Sequence, residues 1–152
     1  MSAMTIENER QIDVMSLDLQ QLNALKTQFE NELNEIGRQL ESLHSAKNRF
    51  LSSKVAIEQV QGYGNDNKVM IPLANSLYVP GTVVDSDKYL MELGTGYFCE
   101  KNGEQSIALI ERKTQLVVDS IKKIEEVGMS KRQQLSGVEQ VMRMKLQQQQ
   151  QQ

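Results

Sequence analysis

Apolar residues recur every three to four positions in the first third of the chain. A heptad frame with its first a position at Ile12 places an apolar residue at every d position. Four of the seven a positions are apolar as well. Seven heptads without a slip are typical of a coiled-coil helix rather than of an amphipathic surface helix, and they predict a helix over residues 12–59. The d residues are Met15, Leu22, Phe29, Ile36, Leu43, Phe50 and Ile57.

The last third of the chain repeats this pattern less regularly and predicts a second helix over residues 106–146. Its heptad frame starts with position a at Ile107 and is interrupted at Gly128, Lys131 and Lys145. Residues 147–152 are all glutamine, and we expect this low-complexity tail to be disordered.

The two predicted helices carry opposite net charge, −3 over residues 1–60 and +3 over residues 106–152. Opposite charge favours their pairing with each other. Because the segment between them must turn the chain around, we expect an antiparallel coiled coil. This pairing places Gly37 level with Gly128, where we expect a soft point in the coil.

Residues 60–105 contain both prolines and six of the nine glycines. Here the apolar period changes to two, which predicts strands near residues 68–73, 76–84, 87–93 and 97–101. Pro72 and Pro80 remove ladder donors and therefore belong at edges or bulges. The predicted fold class is mainly α with a small β part, in which two β-hairpins join the helices of a long antiparallel two-helix coiled coil.

Gly94-Thr95-Gly96 raises the question of a phosphate-binding loop. A dinucleotide-binding fingerprint needs a third glycine where Cys99 stands, followed by a helix whose N-terminus holds the phosphate. The next residues, YFCEK, are typical of a strand instead. The chain could turn here or kink through a bulge, and we interpret the glycines as a kink.

The composition offers little for catalysis, and we predict neither an enzyme nor a cofactor or metal site. His44 is the only histidine and follows a d-position leucine. Cys99 is the only cysteine, which excludes an internal disulfide and fits a reducing compartment. No apolar run is long enough for a membrane span, and no signal peptide is apparent. We therefore expect a soluble intracellular protein, with no nucleic acid or membrane as partner.

Four short strands cannot cover their own faces and edges, and open edges recruit other chains. The sequence therefore predicts an oligomer joined through the strands, although a self-contained hairpin cap on a two-helix coil is the alternative. The alternating apolar residues are the predicted subunit interface. They are Val69, Ile71, Leu77, Val79, Tyr89, Met91, Leu93 and Tyr97.

The sequence resembles a known family over about residues 12–146. A heptad helix, a middle that reads MIPLANSLYVPG and then LMELGTGYFCEK, and a second heptad helix are similar to the alpha-class prefoldin subunits. The resemblance implies a hexamer of two alpha-class and four beta-class subunits, whose hairpins build an intersubunit β-barrel and whose coils project as tentacles. It implies a cytoplasmic co-chaperone, with a nuclear pool left open.

This family captures unfolded polypeptides, notably actin and tubulin, and passes them to the cytosolic chaperonin without ATP. By resemblance, clients would meet the tentacle tip, where the two ends of the chain come together. Met15, Leu22, Val138 and Met142 could instead merely close the coiled-coil seam, and the full predicted set of tip residues has seven members. They are Met15, Leu19, Leu22, Val138, Met142, Met144 and Leu146.

A structural coiled-coil scaffold or tethering subunit is the alternative function. Such a protein would share the heptads but would not need four strands with open edges. Deletion of residues 68–101 separates the two functions, because a scaffold coil should still find its partners and a prefoldin subunit should not.

Overall fold

The computed structural model describes residues 15–150, with side chains up to residue 148. Helix α1 comes first, four strands follow, and helix α2 ends the order. This arrangement confirms the predicted fold class. The elements are α1 (Leu19–Tyr63), β1 (Lys68–Ala74), β2 (Leu77–Thr82), β3 (Tyr89–Gly94), β4 (Tyr97–Lys101) and α2 (Gly103–Gln150).

Side-chain caps set the bounds of α1, which differ from the predicted 12–59. Asp18 accepts a hydrogen bond from the backbone N–H of Gln21 at 2.7 Å, and Gln21 Oε1 accepts one from Asp18 N–H at 3.0 Å. This reciprocal capping box starts the helix at Leu19. At the other end Gly64 takes a φ of +74°, and the Asn67 amide donates to the Tyr63 carbonyl at 3.0 Å. Residues 12–14 of the prediction lie outside the described residues.

Helix α2 is longer than the predicted 106–146 at both ends. Asn102 Oδ1 accepts a hydrogen bond from Gln105 N–H at 2.9 Å, so the helix begins directly after this cap. At the other end residues 147–150 of the predicted disordered tail continue the helix. Glutamine is a good helix former, and no glycine or proline interrupts this stretch.

The chain forms two compact units. Among the described residues, the helical unit combines residues 15–39 with 124–150, and the hairpin unit comprises residues 40–123. Each unit contains a segment of both helices. From residue 19 onward every a and d position of both predicted frames is buried or half-buried, which confirms the heptad register.

In the helical unit the helices pair antiparallel through ion pairs at seam positions. Glu32 lies 2.8 Å from Lys131, and Lys26 lies 3.4 Å from Glu139. The Lys131 ammonium also lies 5.2 Å from the centre of the Phe29 ring. Hydrogen bonds from Lys131 and then from Gln28 lower the pKa of Glu32. Lys26 and Lys131, two of the lysines at a and d positions, therefore have partners across the seam.

Gly128 is buried in this seam, where an added Cβ would lie 3.4 Å from Ile36 Cγ2. Gly37 stands next to Ile36 at the predicted height but is exposed, with open space around an added Cβ. Only Gly128 therefore permits close helix approach, and the soft point at this height stays a prediction.

The hairpin unit has its own apolar core, formed by Ile57 of α1 together with Leu109, Ile110 and Ile121 of α2. Its cross-helix ion pair joins Lys54 to Glu111 at 2.6 Å, and this hydrogen bond raises the pKa of Lys54.

The strands form two separate antiparallel hairpins, β1–β2 and β3–β4. Each has a register irregularity just before its turn, between Pro72 and Ala74 and between Glu92 and Gly94. Thr95 and Gly96 have φ values of +49° and +81°, the signs that a type I′ hairpin turn requires. The interpretation of the Gly94-Thr95-Gly96 stretch as a kink is therefore wrong, because these residues form the turn itself.

Candidate assembly and client-binding surfaces

The β1–β2 hairpin presents apolar side chains on both faces. Ile71 pairs with Val79 on one face, and Met70 pairs with Pro80 on the other. Apart from Val69 and Gly81, which are half-buried, every residue of these two strands is exposed. Neither face has a covering layer within the described chain, so this hairpin suits burial by other chains.

The β3–β4 hairpin has one supported face and one open face. Tyr89, Met91 and Cys99 share the half-buried inner face. Leu90 and Phe98 lie on the outer face and are exposed. This hairpin is therefore already partly packed within its own chain.

Tyr89 anchors the hairpin through its hydroxyl, which lies 2.6 Å from the Ser86 carbonyl and 3.3 Å from the Ile57 carbonyl of α1. Burial, followed by the negative charges of Asp87 and Asp85, raises the pKa of Tyr89. Its hydroxyl thus binds the chain's own backbone, a role that the prediction of an interface residue did not include.

Asp87 joins the segment between the hairpins to both helices. Its Oδ1 accepts a hydrogen bond from the backbone N–H of Gly103 at 2.8 Å and one from the Gln61 amide at 3.3 Å. An added Cβ at Gly103 would collide with the Gln61 amide and lie 3.0 Å from Asp87 Oδ1, so a side chain there would displace Gln61 from Asp87. A further contact comes from Lys113 of α2, which donates to the Glu92 carbonyl at 2.7 Å.

Most of the predicted interface residues are exposed in the single chain, as a surface for other subunits must be. Half-buried positions are Val69, Tyr89 and Met91. Exposed positions are Ile71, Leu77, Val79, Leu93 and Tyr97.

Sequence reasoning missed the apolar residues of the opposite strand faces. A search for one alternating set selects one face, whereas these strands are apolar at both odd and even positions. That double pattern was a readable signal of strands covered on two sides. The missed exposed residues are Met70, Tyr78, Leu90 and Phe98.

The predicted tip residues of the helical unit divide into three groups by burial. Leu22 and Val138 are 0% and 2% exposed, so they close the seam between the helices. Met15, Met144 and Leu146 are exposed, the last two at 39% and 47%. Leu19 and Met142 are half-buried.

A small groove of about 270 Å³ lies beside these residues, lined by Met142 and Leu146 together with Lys26, Glu139 and Arg143. Glu139 lies 3.8 Å from Arg143, in addition to its pair with Lys26. The Lys145 ammonium lies 2.5 Å from the Leu17 carbonyl and so holds the start of the described chain against α2.

The residues considered for catalysis lie apart. His44 is exposed on α1, and Cys99 is half-buried in β4 opposite Met91. Among residues 15–150 no cluster of histidine, cysteine and carboxylate side chains is suited to a metal ion. Neither α1 nor α2 is apolar enough over any stretch of the described chain to cross a membrane.

Comparison with known proteins connects these surfaces to a family. Residues 19–148 match the family described as "Prefoldin subunit". The chain belongs to the prefoldin family. Prefoldin subunits are chaperone subunits, and membership is consistent with a chaperone role for this chain.

Individual relatives agree. A probable prefoldin subunit 5 of Drosophila melanogaster is 34% identical, over 88% of this chain and 80% of the relative. The probable prefoldin subunit 5 of Dictyostelium discoideum is 32% identical (94% and 89%), and prefoldin subunit 5 of Homo sapiens is 27% identical (90% and 89%). These relatives confirm the resemblance to prefoldin inferred from the sequence, and all three carry the name prefoldin subunit 5.

The fold has a solved counterpart in a chain of the filamentous PFD of Methanocaldococcus jannaschii, determined by cryo-electron microscopy. The TM-score is 0.71 at 14% identity, over 76% of this chain and 96% of the other. At this identity the likeness shows the shared fold alone.

Proposed function

We propose that this chain is a subunit of a hexameric prefoldin co-chaperone, which holds unfolded polypeptides and delivers them to the cytosolic chaperonin without ATP. The exposed apolar hairpins of a prefoldin-family chain carry this proposal. A scaffold coil would not need them, since large exposed apolar surfaces mark interaction sites.

The proposed partners are the other prefoldin subunits, two of the alpha class and four of the beta class in one hexamer. Their hairpins would complete a β-barrel with β1–β2 and β3–β4, which would bury Ile71 and Val79. The proposed place of action is the cytoplasm, and unfolded actin and tubulin are the proposed clients.

Solution mass tests assembly directly. Light scattering and native mass spectrometry would be applied to this chain alone and to its mixtures with candidate beta-class and alpha-class subunits. We expect a discrete complex of six subunits only in the mixture. A chain that ignores those partners, as a dimer or as a polymer of its own, would contradict the proposal and favour the scaffold function.

Clients are proposed to bind the exposed tip residues rather than the buried ones. Methionine adapts to many shapes, which suits a surface for diverse clients. Each contact would be weak, and several tentacles acting on one client would raise the overall affinity. Leu22 and Val138 would then serve the seam.

A double substitution, Met144→Ser with Leu146→Ser, tests the tip without opening the seam. Truncation after residue 135 is a blunter test, because it also removes the buried Val138. We expect the assembled double variant to suppress the aggregation of chemically denatured actin more weakly, as measured by light scattering.

The matched control is Val127→Ser with Met129→Ser, because both residues are exposed apolar side chains of α2 in the same unit. If the tip variant and the control suppress aggregation equally well, the client site lies elsewhere.

A further inference from the structure

A groove of about 330 Å³ lies between the β3–β4 hairpin and the first turns of α2. Leu93 of β3 and the α2 residues Ala108 and Leu109 form its apolar part, and Lys101 and Arg112 also line it. Leu109 is buried, whereas Leu93 is 49% exposed. The groove is therefore apolar at its base and open to solvent, with two cations at its rim.

Neither cation has a partner within the part of the chain that the structure describes. Between residues 15 and 148 the side chains of Lys101 and Arg112 form no ion pair and no hydrogen bond. Their neighbour Lys113 differs, since it donates to the Glu92 carbonyl. Two unpaired cations beside an apolar base form a site that favours carboxylates and repels basic groups.

We propose that this groove receives an apolar side chain from a hairpin of an adjoining subunit, and that carboxylates flank that side chain and pair with Lys101 and Arg112. This inference rests on the proposed function, because it names the partner chemistry at one surface of the assembly. The proposed contact joins a hairpin of one subunit to the α2 helix of another, in addition to the proposed contacts between strands.

The same chain shows that a hairpin can present this chemistry. On the outer face of β3–β4, Leu90 and Phe98 are exposed, with Glu92 and Glu100 on the same face. Lys88 lies 3.6 Å from Glu100, and the Glu92 carboxylate has no partner among the described residues. This outer face has the apolar, acidic character that the groove requires.

The hairpin therefore has an acidic, apolar outer face and borders a basic, apolar groove. Two chemically opposite surfaces cannot both meet copies of themselves, because like charges would face each other. The proposed contact would therefore join two different surfaces, the groove of this chain and the acidic, apolar face of its neighbour.

A photo-crosslinking amino acid in place of Ala108 identifies the occupant. The variant is assembled with the candidate alpha- and beta-class subunits, irradiated, and digested for mass spectrometry. The expected product joins Ala108 of this chain to a strand segment of another chain of the complex that contains an aspartate or glutamate. A cross-link to a client polypeptide, or to no chain of the complex, would overturn the inference.

Charge reversal measures the contribution of the rim. The double variant Lys101→Glu with Arg112→Glu should enter the complex about tenfold or more weakly than the control Lys122→Glu with Lys123→Glu. The control changes the charge equally at exposed α2 positions outside the groove. Conversion of the cross-linked carboxylates of the partner to lysine should restore incorporation of the groove variant.

The outcomes separate the two proposals. Failure of the unaltered chain to assemble with prefoldin subunits would overturn the proposed function. Normal assembly of the unaltered chain, together with equal incorporation of the groove variant and the control, would overturn only the proposed use of the groove.

Discussion

The two hairpins share a topology but differ in what holds them in place. β3–β4 is joined to the helices by the Tyr89 hydroxyl, by the Lys113 ammonium and through Asp87 just before β3. Beside β1–β2 one side-chain hydrogen bond reaches a helix within the described chain, from the Asn67 amide to the Tyr63 carbonyl at the end of α1. The backbone bonds at its base, such as Asp66 N–H to the Val83 carbonyl at 2.8 Å, join the two flanks of the hairpin to each other rather than to a helix.

This difference indicates two roles. An isolated two-stranded hairpin is marginally stable in water, so β1–β2 needs partner chains to bury its two apolar faces. The chain's own helices already support β3–β4, which can present its outer face and groove in a defined orientation. Assembly energy should therefore come mainly from β1–β2, whereas β3–β4 should also contribute to the stability of the single chain.

The largest effect is expected from Ile71→Lys at the centre of β1. Ile71 is 48% exposed in the single chain, where a lysine can reach water at little cost. In the assembled barrel its charge would be buried, which costs several kcal/mol. A loss of about 4 kcal/mol corresponds to about thousandfold weaker assembly. Native mass spectrometry should show the complex lost, and circular dichroism should show an unchanged Tm of the single chain.

The control is Leu51→Lys on α1, because Leu51 is an equally exposed apolar residue outside the strands. Normal assembly of Ile71→Lys, or equal impairment by Leu51→Lys, would contradict the assignment of assembly energy to β1–β2.

A smaller effect is expected from Asp87→Ala, which should lower the stability of the single chain rather than its assembly. This substitution removes the acceptor for Gly103 N–H and the Gln61 amide, and hydrogen bonds to charged groups contribute about 1.5 to 3 kcal/mol each when buried. Because Asp87 is exposed, we expect the free energy of unfolding to fall by about 1 to 2 kcal/mol. Urea unfolding of the single chain, followed by circular dichroism, provides the measurement.

Asp87→Asn keeps an acceptor oxygen and should retain more of the stability than alanine does. If both variants unfold with the wild-type free energy, Asp87 does not anchor β3–β4. The proposed difference between the two hairpins would then be wrong.

Much of this architecture could be predicted because its signals are local. Prolines, glycines and polar turn residues bound each strand, and the observed strands lie within two residues of the predicted positions. An apolar residue at every d position likewise determined the coiled-coil register. The role of the Gly94–Gly96 stretch was misjudged, since a kink and a type I′ turn both use glycine there.

The remaining features depend on residues that are distant in sequence. Asp87 looks like any turn residue until Gln61 and Gly103 are brought to it. At the tip, the heptad frames place Leu22 and Val138 at d positions and leave Met144 and Leu146 outside the a and d positions. The a-position residues Leu19 and Met142 fit the seam equally well in sequence but are only half-buried. Burial depends on which helix lies opposite, and a single helical pattern does not contain that information.

The smallest effect concerns Tyr89 and appears at alkaline pH. Burial and the nearby carboxylates of Asp87 and Asp85 raise the pKa of Tyr89 above its ordinary value of 10.0. The unfolded phenol ionises near that ordinary value, so the stabilisation is fully present below pH 10.0. It is lost as the pH rises through the folded pKa. We therefore expect β3–β4 to loosen in strong alkali, seen as faster proteolysis within residues 89–101.

Tyr89→Phe should remove the phenol-linked part of this transition and lower the free energy of unfolding at neutral pH by about 0.5 to 1.5 kcal/mol. Tyr78→Phe is the matched control, because Tyr78 is an exposed tyrosine of β2. If the hydroxyl of Tyr89 anchors β3–β4, only its removal should change the alkaline profile. An equal change with Tyr78→Phe would mean that the negative charge of any ionised tyrosine destabilises the chain. The two hairpins would then differ less than their contacts indicate.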